Sequence, residues 1–358
     1  MRSHQAWLSG AIILIAASLS SAADLHLTVN AAGGAQFTTV QAAIDAVPTS
    51  STQRYVIDIA PGTYTEIVRV TANKLVTLSG AGATQTIITN NLTANDTPNE
   101  KWGHATTAVL ATNFIASNIT FRNTKGQNGG QALAMYVDAD RAVFNACRFI
   151  GWQDTLRPER SRSFFKDCYI EGHVDFIYGK GQAYFEHCTT NSLAGGYVTA
   201  QGRESATETN GFVFHDCTIT GTAANNSVTL GRPWQPYARV IYDRCSLGPV
   251  ISSAGWTDLS SAGVNGTAYF AEYQSRNLSG ASISTSGRTA WSHQLTAAEA
   301  SSYTMKAWLS GTDNWNPLAV LPEPSVFLCG STLGALALRR SPRHPRTKMC
   351  HPDSPPVE

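Results

Sequence analysis

The chain has 358 residues, room for one large domain or two ordinary ones, with 42% hydrophobic and only 14% charged side chains. So little charge over such a length predicts an extended buried core beneath an uncharged surface of Ser, Thr, Asn and Gly. The formal net charge of +1 supplies no field to steer nucleic acid, so no nucleic-acid partner is expected.

Residues 1–23 read as an export signal. Arg2 and His4 precede an apolar run from Ala11 to Leu19, and small residues follow from Ser20 to Ala23. A basic start, a short apolar stretch and a small-residue site are the marks of a signal peptide, with cleavage expected after Ala22 or Ala23. The body of the protein is then 24–320. Near its start, Val40 to Val47 has the pattern of one short helix.

A repeat follows. Phe144-Asn-Ala-Cys147, Phe165-Lys-Asp-Cys168, Phe185-Glu-His-Cys188, Phe214-His-Asp-Cys217 and Tyr242-Asp-Arg-Cys245 are all aromatic-x-x-Cys, at successive spacings of 21, 20, 29 and 28 residues. A period of about 20 residues, lengthened by insertions, marks a solenoid. The segments between are short and rich in β-branched and aromatic residues, such as Arg141 to Phe144 and Arg239 to Tyr242, and Gly, Asn, Asp and Thr separate them. The expected fold is therefore all-β: a right-handed parallel β-helix with one short N-terminal helix.

Residues of equal phase stack in such a fold, so five aromatics and five cysteines should form inward ladders. Buried free thiols are one reading. A disulfide is the other, because the coil spacing matches the Cα separation of a bridge and the expected compartment is oxidising. Cys168–Cys188 is the candidate pair and Cys147–Cys168 its competitor.

The acids obey the same shift. Asp154 lies seven residues after Cys147, and Asp175 seven after Cys168. Two carboxylates on neighbouring coils should sit roughly 5–7 Å apart. Both cannot easily ionise, so one pKa should rise, which separates an acid–base role from a nucleophile role. Gln131 and Gln153 are 22 residues apart, about one coil, and their amides can donate to a developing oxyanion. Arg232 can hold one aspartate ionised. Trp234 offers a flat face for a sugar ring. His104, His173, His187 and His215 are scattered and read as structural. No His/Cys cluster has metal-ligand spacing and no G-x-S-x-G motif occurs, so neither metal nor cofactor is expected. A glycosidase would also use two carboxylates, but amide donors and an arginine suit acyl transfer better.

In segment 321–358, Pro322-Glu323-Pro324 precedes an apolar run from Val326 to Leu338, then Arg339-Arg340. That run is short for a bilayer span. The three parts resemble the PEP-CTERM sorting signal of exported proteins in some Gram-negative bacteria, here continued by a polar tail to Glu358. The resemblance implies a secreted or cell-surface protein of the outer envelope, anchored through this segment.

The body itself resembles the pectin methylesterase family, carbohydrate esterase family 8. Five blocks occur in order: Gly62-Thr-Tyr-Thr-Glu66, Gln131-Ala-Leu-Ala-Met-Tyr136, Gly151-Trp-Gln-Asp-Thr-Leu156, Gly172-His-Val-Asp-Phe-Ile-Tyr-Gly179 and Leu230-Gly-Arg-Pro-Trp234. Tyr197 to Arg203 also resembles a family segment. The resemblance implies that Asp175 attacks the methyl ester carbonyl of a galacturonate unit in pectin. Asp154 is then general acid and later base, Gln131 and Gln153 serve the oxyanion, and Arg232 orients Asp175. It places Trp234, Tyr178, Tyr136 and Val174 at the substrate, with Tyr178 where the family usually has Phe, and it needs no cofactor. A monomer is expected, because solenoid flanks are usually covered by their own loops. Two other readings stay open: a related esterase for a non-pectic ester, and a surface β-helix without activity.

Overall fold

The computed structural model describes residues 23–99, 102–258 and 266–321. The expected export signal up to Ala22 and the expected sorting segment from Pro322 onward lie outside the described residues.

One sheet runs the length of the body. Its 11 strands stand in chain order, from Leu25–Val29 through Tyr55–Ile59, Val76–Gly80, Ile115–Ser117, Ala142–Asn145, Arg162–Lys166, Gln182–Glu186, Gly211–His215, Arg239–Asp243 and Tyr269–Tyr273 to His293–Gln294. Every pairing is parallel. The remaining coil segments form a 14-stranded sheet. It carries two faces, because Tyr169–Gly179 and Thr189–Gln201 are long and change register partway, between Gly172 and Ile177 in the first pair. This is the right-handed parallel β-helix that the repeat predicts.

The cysteine repeat explains the corner between the faces. The residue just before each cysteine (Ala146, Asp167, His187, Asp216, Arg244) has φ between 49° and 55°. A left-handed residue turns the chain sharply, at about 1–2 kcal/mol for a side chain other than glycine. Stacking offsets that cost, since the turn amide still bonds to the next coil: Ala146 N to Lys166 O at 2.9 Å, Asp167 N to Glu186 O at 3.0 Å and His187 N to His215 O at 3.1 Å.

Inside, Phe144, Phe165, Phe185, Phe214 and Tyr242 form a column, in register strand by strand. Their ring centroids are 4.4–4.9 Å apart with planes within 12° of parallel. Each such contact is worth about 0.5–1.5 kcal/mol beyond the area it buries.

The five cysteines form the second column, all buried and all free thiols. The structure holds Cys168 and Cys188 as thiols, without the candidate bridge. Each sulfur instead faces a carbonyl of the preceding coil, as Cys188 Sγ does that of Phe165 at 3.4 Å and Cys168 Sγ that of Phe144 at 3.5 Å.

The short helix is Val40–Ala46, and it sets Val40, Ala43 and Ile44 into the core. Thr39 caps it, accepting from Ala42 N at 3.2 Å. Glu66 accepts from Val40 N and Gln41 N, each at 2.9 Å, which gives the Gly62-to-Glu66 block a structural task. Two further helices, Ala297–Ala300 and Met305–Leu309, escaped the sequence reading because four or five residues carry no periodicity. Trp308 and Leu309 cover the outward side chains Val143, Phe164, Tyr184, Val213 and Ile241 of the long sheet. Arg162 fastens this cover to the body, donating to Leu309 O at 3.1 Å and pairing with Asp313 at 2.6 Å.

Candidate active site

Asp154 and Asp175 lie on neighbouring coils, as their spacing predicts: Asp154 N donates to Val174 O at 3.2 Å. Both occupy left-handed turns, with φ of 65° and 51°. Aspartate tolerates this conformation better than most residues; Asp154 turns the chain between strands, and Asp175 sits where Tyr169–Gly179 changes register. Gly172 permits the bend before Asp175. A Cβ there would stand 2.3 Å from Phe176 Cβ and 2.5 Å from Trp152 O. Gln131 and Gln153 pair their backbones as a parallel bridge one coil apart, with Gln153 adjacent to Asp154.

Arg232 comes from a strand two coils further on, Val228–Pro233, where Tyr178, Ala200 and Arg232 stack in register. The intervening residue is alanine, so the guanidinium has room to reach back. Gly231 lets its strand lie close, since a Cβ there would be 2.0 Å from Thr199 Oγ1. Arg232 then holds Asp175 with two bonds, Nε to Oδ1 at 3.0 Å and Nη2 to Oδ2 at 2.6 Å. The ring of Tyr197 backs the guanidinium at 4.1 Å. In the sequence Tyr197 stands out only as part of the family-like segment from Tyr197 to Arg203.

The environments of the two acids differ. Asp154 is 4% exposed, and its carboxyl is pushed up to about 8, first by burial and then by the charge of Asp175. It keeps its proton at neutral pH. Burial also raises Asp175, but both bonds from Arg232 act against this. So the pair is split as two stacked carboxylates should be, one neutral and one with a cation clamped to it.

Around them lie the expected substrate residues. Tyr136 and Tyr178 are buried in a small cluster that Trp234 packs against, with Tyr178 and Trp234 edge to face at 5.8 Å. Val174 is half-buried, and its carbonyl is already used by Asp154. Gln131 is exposed at the rim and Gln153 half-buried. Arg157, which sequence reasoning passed over, sits in the middle: its guanidinium lies 5.0, 5.6 and 5.7 Å from the rings of Tyr178, Tyr136 and Trp234. Its only signal was its place one residue beyond the Asp154 block. His104 is buried nearby and lowered to about 4, by burial and then by Arg157, with neither ring nitrogen bonded among the described residues. His215 is structural, bonded to Asp243 at 2.8 Å on the outer face. Among the described residues no group of three or more His, Cys, Asp or Glu could hold a metal ion.

Comparison with known proteins agrees with this arrangement. The family model "Pectinesterase" matches residues 26–312. Pectinesterase 31 of Arabidopsis thaliana is 38% identical over 278 residues, covering 75% of this chain and 87% of that protein. The structure of the pectin methylesterase from carrot superposes with a TM-score of 0.78 at 32% identity, covering 85% of this chain and 99% of that one. A pectin methylesterase solved in complex with a hexasaccharide superposes with a TM-score of 0.70 at 26% identity, covering 84% of this chain and all 100% of the other. With the solenoid, the stacked aspartates and the arginine clamp in place, the chain belongs to the pectinesterase family and is a carboxylic ester hydrolase.

Proposed function

We propose that the chain is an exported pectin methylesterase, of carbohydrate esterase family 8, that cleaves methyl esters of galacturonate units by a two-step aspartate mechanism. The observation that carries this reading is the unequal pair: Asp154 buried, with its carboxyl pushed up to about 8, and Asp175 clamped by Arg232.

In the first step an Asp175 oxygen attacks the ester carbonyl carbon. Gln131 and Gln153 donate to the oxyanion, and the collapse of the intermediate expels methoxide, which takes the proton of Asp154 and leaves as methanol. The product is an acyl–Asp175 anhydride. Asp154, now a carboxylate, removes a proton from water, whose oxygen attacks the galacturonoyl carbon. Asp175 departs as carboxylate, returning to the Arg232 fork, and Asp154 is again protonated. Trp234, Tyr178, Tyr136 and Val174 border the sugar. The chain acts as a monomer, with leader 1–23 removed, catalytic body 24–320, and segment 321–358 sorting it to the envelope surface of a Gram-negative bacterium through a PEP-CTERM-like signal.

Methanol release from methyl-esterified polygalacturonate, set against a non-pectic methyl ester, tests the substrate. Asp175→Ala should abolish release while the circular dichroism of the β-helix is unchanged. A variant that retained wild-type turnover would refute the nucleophile assignment.

A further inference from the structure

Lys180 has no part in the mechanism above, yet its place follows from the same stacking that builds the Arg232 fork. Tyr178, Ala200 and Arg232 are in register on successive coils, and so are Gly179, Gln201 and Pro233 after them. One residue further, the column is Lys180, Gly202 and Trp234. The ladder continues into it: Gly202 N donates to Gly179 O at 2.8 Å, and Trp234 N to Gln201 O at 3.0 Å. The middle member is again small. A Cβ on Gly202 would stand 2.6 Å from Trp234 Cε3 and 3.1 Å from Lys180 Cγ. Without one, the lysine and the indole meet across the coil, the ammonium 5.6 Å from the ring centroid. Side chains two apart on a strand share a face, so Trp234 sits about 6.6 Å beyond Arg232. The fork on Asp175 marks where the ester reacts. Trp234 and Lys180 therefore border the neighbouring sugar unit.

Two cations lie near that indole, and they differ in what holds them. Arg157 is paired at 2.8 Å with Glu159, which is buried, so its charge is balanced inside the protein. Lys180 is paired at 2.5 Å with Glu204, whose side chain is 52% exposed on the loop after Gly202. Exposed pairs of this kind are worth little. An ammonium has three protons, and the bond to Glu204 uses one. Beside it opens a polar pocket of about 360 Å³, lined by Lys180, Arg160, Glu204 and Asn210 among others. The ammonium thus has room, spare protons and a partner that is easily displaced. It can recognise an anion delivered at Trp234. A methyl-esterified galacturonate brings no charge there, whereas a de-esterified one brings a carboxylate.

We propose that Lys180 is a specificity-determining residue: it exchanges Glu204 for the free carboxylate of the galacturonate unit next to the reacting ester, and so favours esters whose neighbour is already de-esterified. This inference rests on the pectin reading given above. In the exchange one carboxylate replaces another at the ammonium, and Glu204, already half in water, completes its hydration. Glu204 is then a competitor of the substrate, so the two members of the pair act in opposite directions.

The test compares kcat/KM for methanol release from fully methyl-esterified polygalacturonate and from the same polymer with half its esters removed at random by alkali, at equal ester concentration. The readout is the ratio, half-esterified over fully esterified. Lys180→Gln should lower that ratio about fivefold, the loss of one charge-assisted bond at a partly exposed site. Glu204→Gln, which frees the ammonium, should raise it, and Lys180→Arg should keep it near the wild-type value. Added salt should bring the wild-type ratio toward that of Lys180→Gln. A ratio unmoved in an active Lys180→Gln or Glu204→Gln enzyme overturns the proposal. So does a fall in both, which would make the pair a structural tie of the loop. If wild type releases no methanol from either polymer, the pectinesterase reading fails instead, and the two failures are distinct.

Discussion

Replacing Asp154 by asparagine should make the protein inactive and, above neutral pH, more stable. The carboxyl is 4% exposed and is pushed up to about 8 from 3.8 by burial and by Asp175. In the unfolded chain it titrates near its ordinary value. Between about pH 4 and 8 the folded state thus binds a proton that the unfolded state has released, so stability falls as pH rises through that window. Four units at 1.36 kcal/mol each set the full effect at about 5 kcal/mol, and relaxation around the charge should leave a few kcal/mol of it. Asparagine is nearly isosteric and does not titrate. Urea unfolding midpoints at pH 5 and pH 8.5, for wild type and Asp154→Asn, measure the difference. The wild type should lose stability relative to the variant at the higher pH, while the variant loses about 10²–10⁴ in turnover for want of a proton donor. Parallel midpoints at the two pH values would refute the claim that Asp154 is buried with its proton on.

Arg232→Met should remove the two bonds that oppose burial at Asp175. The fork and its partner are 23% and 14% exposed, so screening is slight, and a loss of about 3 kcal/mol would lift the acid limb of kcat/KM by about two pH units. The variant should therefore be most impaired at low pH and recover toward pH 8; an unmoved acid limb would mean that Arg232 does not govern Asp175. Phe185→Ala opens the middle of the ring column, where Phe185 stacks on Phe165 at 4.7 Å and Phe214 at 4.4 Å. It should cost about 3–5 kcal/mol in unfolding free energy, read from denaturant midpoints, and a cost below 1 kcal/mol would show that the column relaxes freely.

The solenoid was legible because its period is written twice, in the aromatics and in the cysteines. Wherever a coil has no insertion, equal phase in sequence means adjacency in space, and so the 21-residue spacing of Asp154 and Asp175 sufficed to stack them. The block at Glu66 was legible as a motif but not as a helix cap, since its partner amides lie 25 and 26 residues earlier, in a helix outside the repeat.

Other matters belonged to the tertiary structure. The cysteine phase was readable, but the carbonyls that the sulfurs of Cys168 and Cys188 face, those of Phe144 and Phe165, were not. Arg232 is 57 residues beyond Asp175, across coils with insertions, so no count of residues predicts the fork. It is formed because alanine at 200 leaves a gap and glycine at 231 draws the strand close. The setting of Arg157 among the rings of Tyr136, Tyr178 and Trp234 is of the same kind. Local sequence determined the coil and therefore which aspartates are neighbours. Which of them holds a proton was decided by burial and by charges brought from other coils, because an electrostatic environment is a sum over space and not over sequence.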